Sequence, residues 1–309
     1  MANRHKRKIG EKGLNRKLLT GVVLITTILL AIFVVYYLFF QHHTENWTAV
    51  IIDQLVVQEE LVNPIFNANC TSILNASGFD VKYYSGSDVN VTFYKDLPSK
   101  GGKITILRAH SAVRDNTDWV DLFTSESFSK DRHTHLASDR QISKAQMYSS
   151  DEWYFAIGPT FVDRSMTGLF DSNCVIILMG CNSLNETTMA EALVGRGAKV
   201  VIGWTSWVEA SYTDSFTIQL LQRLLAENPE TIKGAISKIN HQIELYHPNP
   251  YNTTLTYYPT SDEAASYIIP TRNNEISPGF IGELFQILLF TTLAKRKCDV
   301  QMASLVEAK

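Results

Sequence analysis

Lys103-Ile-Thr-Ile-Leu-Arg-Ala-His110 and Asn173-Cys-Val-Ile-Ile-Leu-Met-Gly-Cys181 are the two stretches that settle the architecture of this chain. Each carries a short apolar run rich in β-branched residues, Ile104 to Leu107 and Val175 to Leu178, bounded by Gly, Ser and Asn. Continuous apolar runs of that length, without polar alternation, are how strands covered on both faces read. One run leads to an imidazole and the other to a thiol. Sites in open parallel sheets gather at the carboxyl ends of the strands, and neighbouring strands lie about 4.8 Å apart. If the two strands are neighbours, His110 and Cys181 meet at one rim. The 71 residues between them are ample for the crossover that parallel neighbours require.

Outward from this pair the chain alternates strand and helix. Ala49 to Asp53 reads as a first strand, and Pro64 to Leu74 as a helix with proline near its start. Phe79 to Tyr84 is a second strand, followed by a turn at Gly86 to Asn90. The stretch 115–150 is polar and reads as irregular, overhanging the rim, with Phe123, Phe128 and Ile142 as hairpin anchors. Trp153 to Gly158 and Lys199 to Trp204 are further strands. Thr187 to Val194, Tyr212 to Leu225 and Thr231 to Leu245 are helices, the first stopping at Gly195 and the last opening after Pro229 and Glu230. This order predicts an α/β fold with a mostly parallel sheet and helices on both faces.

The chain has 309 residues, 45% of them hydrophobic, enough for one full core over residues 49–309. Before it comes a basic tail, 1–17, and then Leu18 to Phe40, 23 residues without a charge. As a helix this segment is about 34 Å long, sufficient to cross a bilayer. It is longer than a signal-peptide core and lacks a small-residue cleavage site, so an uncleaved signal anchor is expected. The basic flank then stays in the cytoplasm, residues 41–48 form a linker, and the main domain faces outward in a single-pass cell-membrane protein. Six sequons, at Asn46, Asn69, Asn75, Asn90, Asn185 and Asn252, all follow the anchor and mark candidate glycosylation sites. The apolar stretch 279–294 is read as a packed terminal helix in preference to a second span.

Removing the first 17 residues takes away 7 of 28 basic and 1 of 31 acidic residues, leaving 21 against 30, a net charge of −9. Nucleic acid is not an expected partner of so acidic a domain. The four cysteines, Cys70, Cys174, Cys181 and Cys298, show no zinc-ligand spacing. Cys70 and Cys174 are candidates for a disulfide in an oxidising space, which leaves Cys181 the odd thiol. Asp131, His133, His135 and Asp139 are ligand-type residues in one loop, but such loops are mostly solvated, and no metal or other cofactor is expected.

Together the strand ends resemble the caspase-like cysteine peptidases of clan CD, nearest to the CHAT, separase and gingipain groups. In that family one strand ends in His followed by Gly, and a later one ends in the nucleophilic Cys. Ile104 to His110 and Val175 to Cys181 stand in those places and in that order, over a resemblance spanning roughly Ala49 to Leu245. The resemblance implies a peptidase in which Cys181 is the nucleophile and His110 the acid/base group. Backbone N–H groups of Cys181 and of Ser111 or Ala112 would hold the oxyanion. The family's His-Gly is His110-Ser111-Ala112 here, so a side chain stands where the family has glycine's open backbone. Gly197 to Trp207 resembles the next core strand, which in CHAT and separase domains ends in a tryptophan beside the specificity pocket. Trp204, Thr205, Trp207, Glu209 and Asp214 are thus pocket candidates, the two acids favouring Arg or Lys at P1. Three functions remain open: a membrane-anchored endopeptidase acting on peptide or protein substrates through a thioester, a catalytically inactive scaffold or binding module on the same sheet, and a thiol acyltransferase.

Overall fold

In the computed structural model, residues 47–147, 150–246 and 251–275 are described, together with Thr26–Ile28 and Leu30, which are helical. The chain divides into two units, 1–46 and 47–309. Among the described residues no helix is long and apolar enough to cross a membrane. The expected anchor at 18–40, apart from those four residues, lies outside the described part, as do Asn46, Cys298 and the stretch 279–294.

Side-chain alternation builds the main sheet. Ala49 and Ile51 of β1 (Thr48–Asp53) pack on one face and Val50 and Ile52 on the other. The same period of two repeats in β3 (Ile104–Arg108), β8 (Val175–Leu178) and β9 (Val200–Trp204), each buried along its whole length. With β2 (Asp80–Ser85) and β10 (Leu255–Tyr258), they form a six-stranded sheet of order β10-β9-β8-β3-β1-β2. All the pairings are parallel except β10 with β9. The fold is α/β, as the sequence implied.

Three helices share the core on one face: α1 (Pro64–Ala76), α3 (Ala210–Leu224) and α4 (Ile232–Tyr246). Helix α1 begins where Asn63 caps it, its side-chain oxygen accepting the Phe66 N–H at 3.0 Å, with Pro64 in the first turn. The other face is covered by α2 (Thr188–Gly195), the short helix Pro159–Arg164 and a second sheet. That sheet is antiparallel, of order β4-β5-β7-β6, from β4 (Ser111–Val113), β5 (Val120–Ser127), β6 (Ile142–Gln146) and β7 (Trp153–Ile157). It corrects the expectation of an irregular overhang at 115–150. Asp121, Thr124 and Glu126 of β5 are polar yet buried, because Arg114, the Phe155 carbonyl and His133 satisfy them. Their polarity hid the strand.

Cys70 and Cys174 are free thiols in the cores on opposite faces of the sheet, so the candidate disulfide does not form. At the sheet edge, Leu255 N–H and C=O face away from β9 and are both held by the Asn240 amide, at 2.9 and 2.8 Å.

Candidate functional site

The register fixes where the two candidate side chains emerge. β3 and β8 are direct neighbours, with Leu107 paired to Leu178, and His110 and Cys181 each lie three residues beyond that pair. The strand ends are stitched together: Met179 N–H donates to the Leu107 carbonyl at 2.9 Å, and Ser111 Oγ donates to the Cys181 carbonyl at 2.7 Å. Gly180 makes this closeness possible. A Cβ there would press on Ser111 Oγ and lie 2.5 Å from the Ala109 carbonyl oxygen.

His110 is held from below by the segment leaving β1. Gln54, fully buried, accepts the His110 N–H on Oε1 at 3.0 Å, and its own N–H donates to the Arg108 carbonyl at 2.9 Å. Gln58 Oε1 lies 2.5 Å from His110 Nε2. The ring of Phe123 packs against the imidazole at 5.8 Å between centroids. Burial, then the Arg108 guanidinium, push the His110 pKa down to about 4, so the ring is neutral at pH 7.

Cys181 is half-buried, unlike the enclosed Cys70 and Cys174, whose thiols burial pushes up to about 12. Its Sγ donates to the Val208 carbonyl at 3.3 Å and receives the Val208 N–H at 3.4 Å. Burial raises its pKa as well, partly offset by the backbone N–H groups of Val208 and of Cys181 itself. Thiol and imidazole are thus both neutral at rest, and no hydrogen bond joins them among the described contacts. The turn after the thiol is anchored beside β9: Asn182, at φ 54°, donates its N–H to the Ser206 carbonyl at 2.9 Å, and Leu184 donates to the Trp204 carbonyl.

The β4–β5 ladder sorts the candidate oxyanion donors. Phe123 N–H donates to the His110 carbonyl, and Arg114 N–H to the Trp119 carbonyl. By antiparallel alternation, Ala112, opposite Asp121, gives its N–H to β5, whereas Ser111, opposite Leu122, directs its N–H away from β5. A Cβ on Gly180 would lie 2.8 Å from Ser111 N, so this N–H faces the turn that carries Cys181. Ala112 N–H is therefore spent in the β4–β5 ladder, whereas Ser111 N–H is not.

The proposed pocket divides. Trp204 is a core residue, 1% exposed, packed on Tyr212 and Phe216 and donating its indole N–H to Thr213. Asp214 is buried and faces inward, receiving Arg108 Nε and Nη2 at 2.7 and 2.8 Å, so its charge is answered within the protein. The same guanidinium reaches Asp53 at 2.9 Å and the Leu61 carbonyl at 2.8 Å. Thr205 bonds Thr254, tying the loop down. Trp207 and Glu209 are exposed and flank Val208, the residue that holds the thiol. Of the five, these two alone are exposed.

Asn69, Asn75, Asn185 and Asn252 are exposed, while Asn90 is half-buried and caps a short helix by accepting the Phe93 N–H. Among the described residues, no group of three or more metal-ligating side chains could hold an ion. Gln54, Gln58, Arg108 and Val208 escaped the sequence reading. The first two follow β1 at its carboxyl end, so the rule that found His110 would have found them had it been applied to β1 as well. No protein-family model matches the chain, and no curated protein matches it.

Proposed function

We propose that the protein is a cysteine endopeptidase of caspase-like architecture, held at the cell membrane by its N-terminal segment with the main domain outside. The observation that carries this reading is the equal offset of His110 and Cys181 beyond one parallel strand pair, with Ser111 bonded across to Cys181. The neutral imidazole takes the thiol proton as Sγ attacks the substrate carbonyl carbon. The Ser111 and Cys181 N–H groups receive the oxyanion. As the C–N bond breaks, the imidazolium returns the proton to the departing amine, leaving a thioester that water hydrolyses. A resting pair that is neutral at both atoms suits this order, in which proton transfer accompanies attack.

The exposed acids Glu209, beside Val208, and Glu60, beside Gln58, flank the pair and support a basic side chain at P1. Cleavage of Arg and Lys reporter peptides by the full chain should disappear in Cys181→Ala and His110→Ala while thermal unfolding stays largely unchanged. Undiminished cleavage in both variants refutes the peptidase assignment.

A second reading rests on the bonds between the Cys181 sulfur and the Val208 backbone: a noncatalytic binding module in which the thiol is a structural tie. Capture of the same partner by wild type and Cys181→Ala, with no labelling of Cys181 by a peptidyl electrophile, favours that view.

A further inference from the structure

We propose that Gln58 is a positioning residue, whose side-chain oxygen holds His110 in its Nε2–H tautomer and so makes Nδ1 the nitrogen that exchanges a proton with the thiol. An amide oxygen only accepts, so at 2.5 Å the ring must bring the hydrogen to Nε2. The amide is oriented by its other end, since Gln58 Nε2 donates to the Glu60 carboxylate at 3.5 Å; a flipped amide would set oxygen against that carboxylate. Among the described contacts no group bonds Nδ1.

Gln58 is also fixed in place. It sits between two turns, Leu55–Val57 and Glu59–Leu61, where its N–H donates to the Leu55 carbonyl at 3.0 Å and its carbonyl accepts the Leu61 N–H at 2.9 Å. The loop is fastened to the end of β3 at both flanks, through Gln54 to His110 and through the Leu61 carbonyl to Arg108. The residue is 8% exposed. A group so clamped can hold the ring without first being ordered by substrate. When His110 gains a proton, the Nε2–H bond to Gln58 becomes charge-assisted and strengthens, offsetting the burial and the Arg108 charge that oppose an imidazolium.

The last step of the inference rests on the peptidase reading; the tautomer does not. The first test is nitrogen NMR on the full chain, uniformly 15N-labelled on histidine in micelles, with His110→Gln identifying the signals. Wild type should show Nε2–H alone at neutral pH, Gln58→Met a mixture of tautomers, and Gln58→Glu the Nε2–H form with its titration moved upward by a unit or more. A hydrogen on Nδ1 in wild type, or an unchanged tautomer in Gln58→Met, overturns the inference.

The second test is kinetics on a Lys reporter peptide. In Gln58→Met, kcat should fall about a hundredfold with KM little changed. In Gln58→Glu, most of kcat should return, with the acid limb of the profile displaced to higher pH. If His110→Ala abolishes cleavage and Gln58→Met leaves kcat intact, the positioning role fails alone. If His110→Ala cleaves normally, the peptidase reading fails, and with it the role of Nδ1, whatever tautomer the NMR shows.

Discussion

At the residue scale, the contrast among the three described cysteines is one of access. Cys70 and Cys174 are enclosed, whereas Cys181 is half-exposed, its sulfur bonded to the Val208 backbone. Iodoacetamide applied to the folded protein should therefore modify Cys181 ahead of the other two. Because burial raises its pKa, the rate should still be climbing past pH 9; peptide mapping by mass spectrometry reads both outcomes. His110 gives a second expectation. Its folded pKa, about 4, lies below the ordinary 6.5, so between these values the unfolded chain binds the extra proton. The stabilisation from keeping the ring neutral is full above pH 6.5 and is lost as pH falls toward 4, amounting to at most about 3 kcal/mol. Urea unfolding of His110→Gln should accordingly show a smaller loss of stability over that range than wild type. Equal losses would mean that the ring is accessible to protons in the native state.

At the scale of elements, one guanidinium ties four of them together. Arg108 at the end of β3 joins Asp53 of β1, Asp214 of α3 and the turn at Leu61, and Asn63 before α1 adds a bond to Asp214 at 2.8 Å. Arg108→Met should destabilise the fold by about 3–5 kcal/mol, because it leaves two buried carboxylates facing each other; denaturant titration measures it. Gly180→Ala should lose about 1–3 kcal/mol through its collision with Ser111 and Ala109, and Ser111→Gly should recover only the share due to the hydroxyl.

The same elements show what the sequence made legible. β1, β3, β8 and β9 are runs whose apolar character is their signature, and the placement of His110 and Cys181 at neighbouring strand ends followed from them. β5 was not legible, since its buried Asp121, Thr124 and Glu126 are paid for by partners 7 to 31 residues away. Neither was β10, a four-residue edge strand with three half-buried side chains. Asp214 and Trp204 were misplaced for a related reason: sequence proximity to the β9 exit is not proximity to solvent. Asp214 lies one turn into α3, on the side facing β3, and Trp204 points to the face that α3 covers.

At the scale of the whole molecule, the sheet is a partition. Cys70 belongs to the core under α1, α3 and α4, Cys174 to the core under α2 and the antiparallel sheet. Even in an oxidising medium the two should remain reduced, and non-reducing peptide maps should yield both as separate alkylated fragments. A peptide linking them would contradict the layer arrangement. Finally, a boundary strand with unsatisfied amides is an invitation to another copy of the same chain. On β10 the Asn240 carboxamide already occupies the donor and acceptor of Leu255, as a stranger's backbone would. Growth of the sheet by self-association across that position therefore requires eviction of a side chain; Asn240→Ala should lower the threshold for dimers in sedimentation experiments.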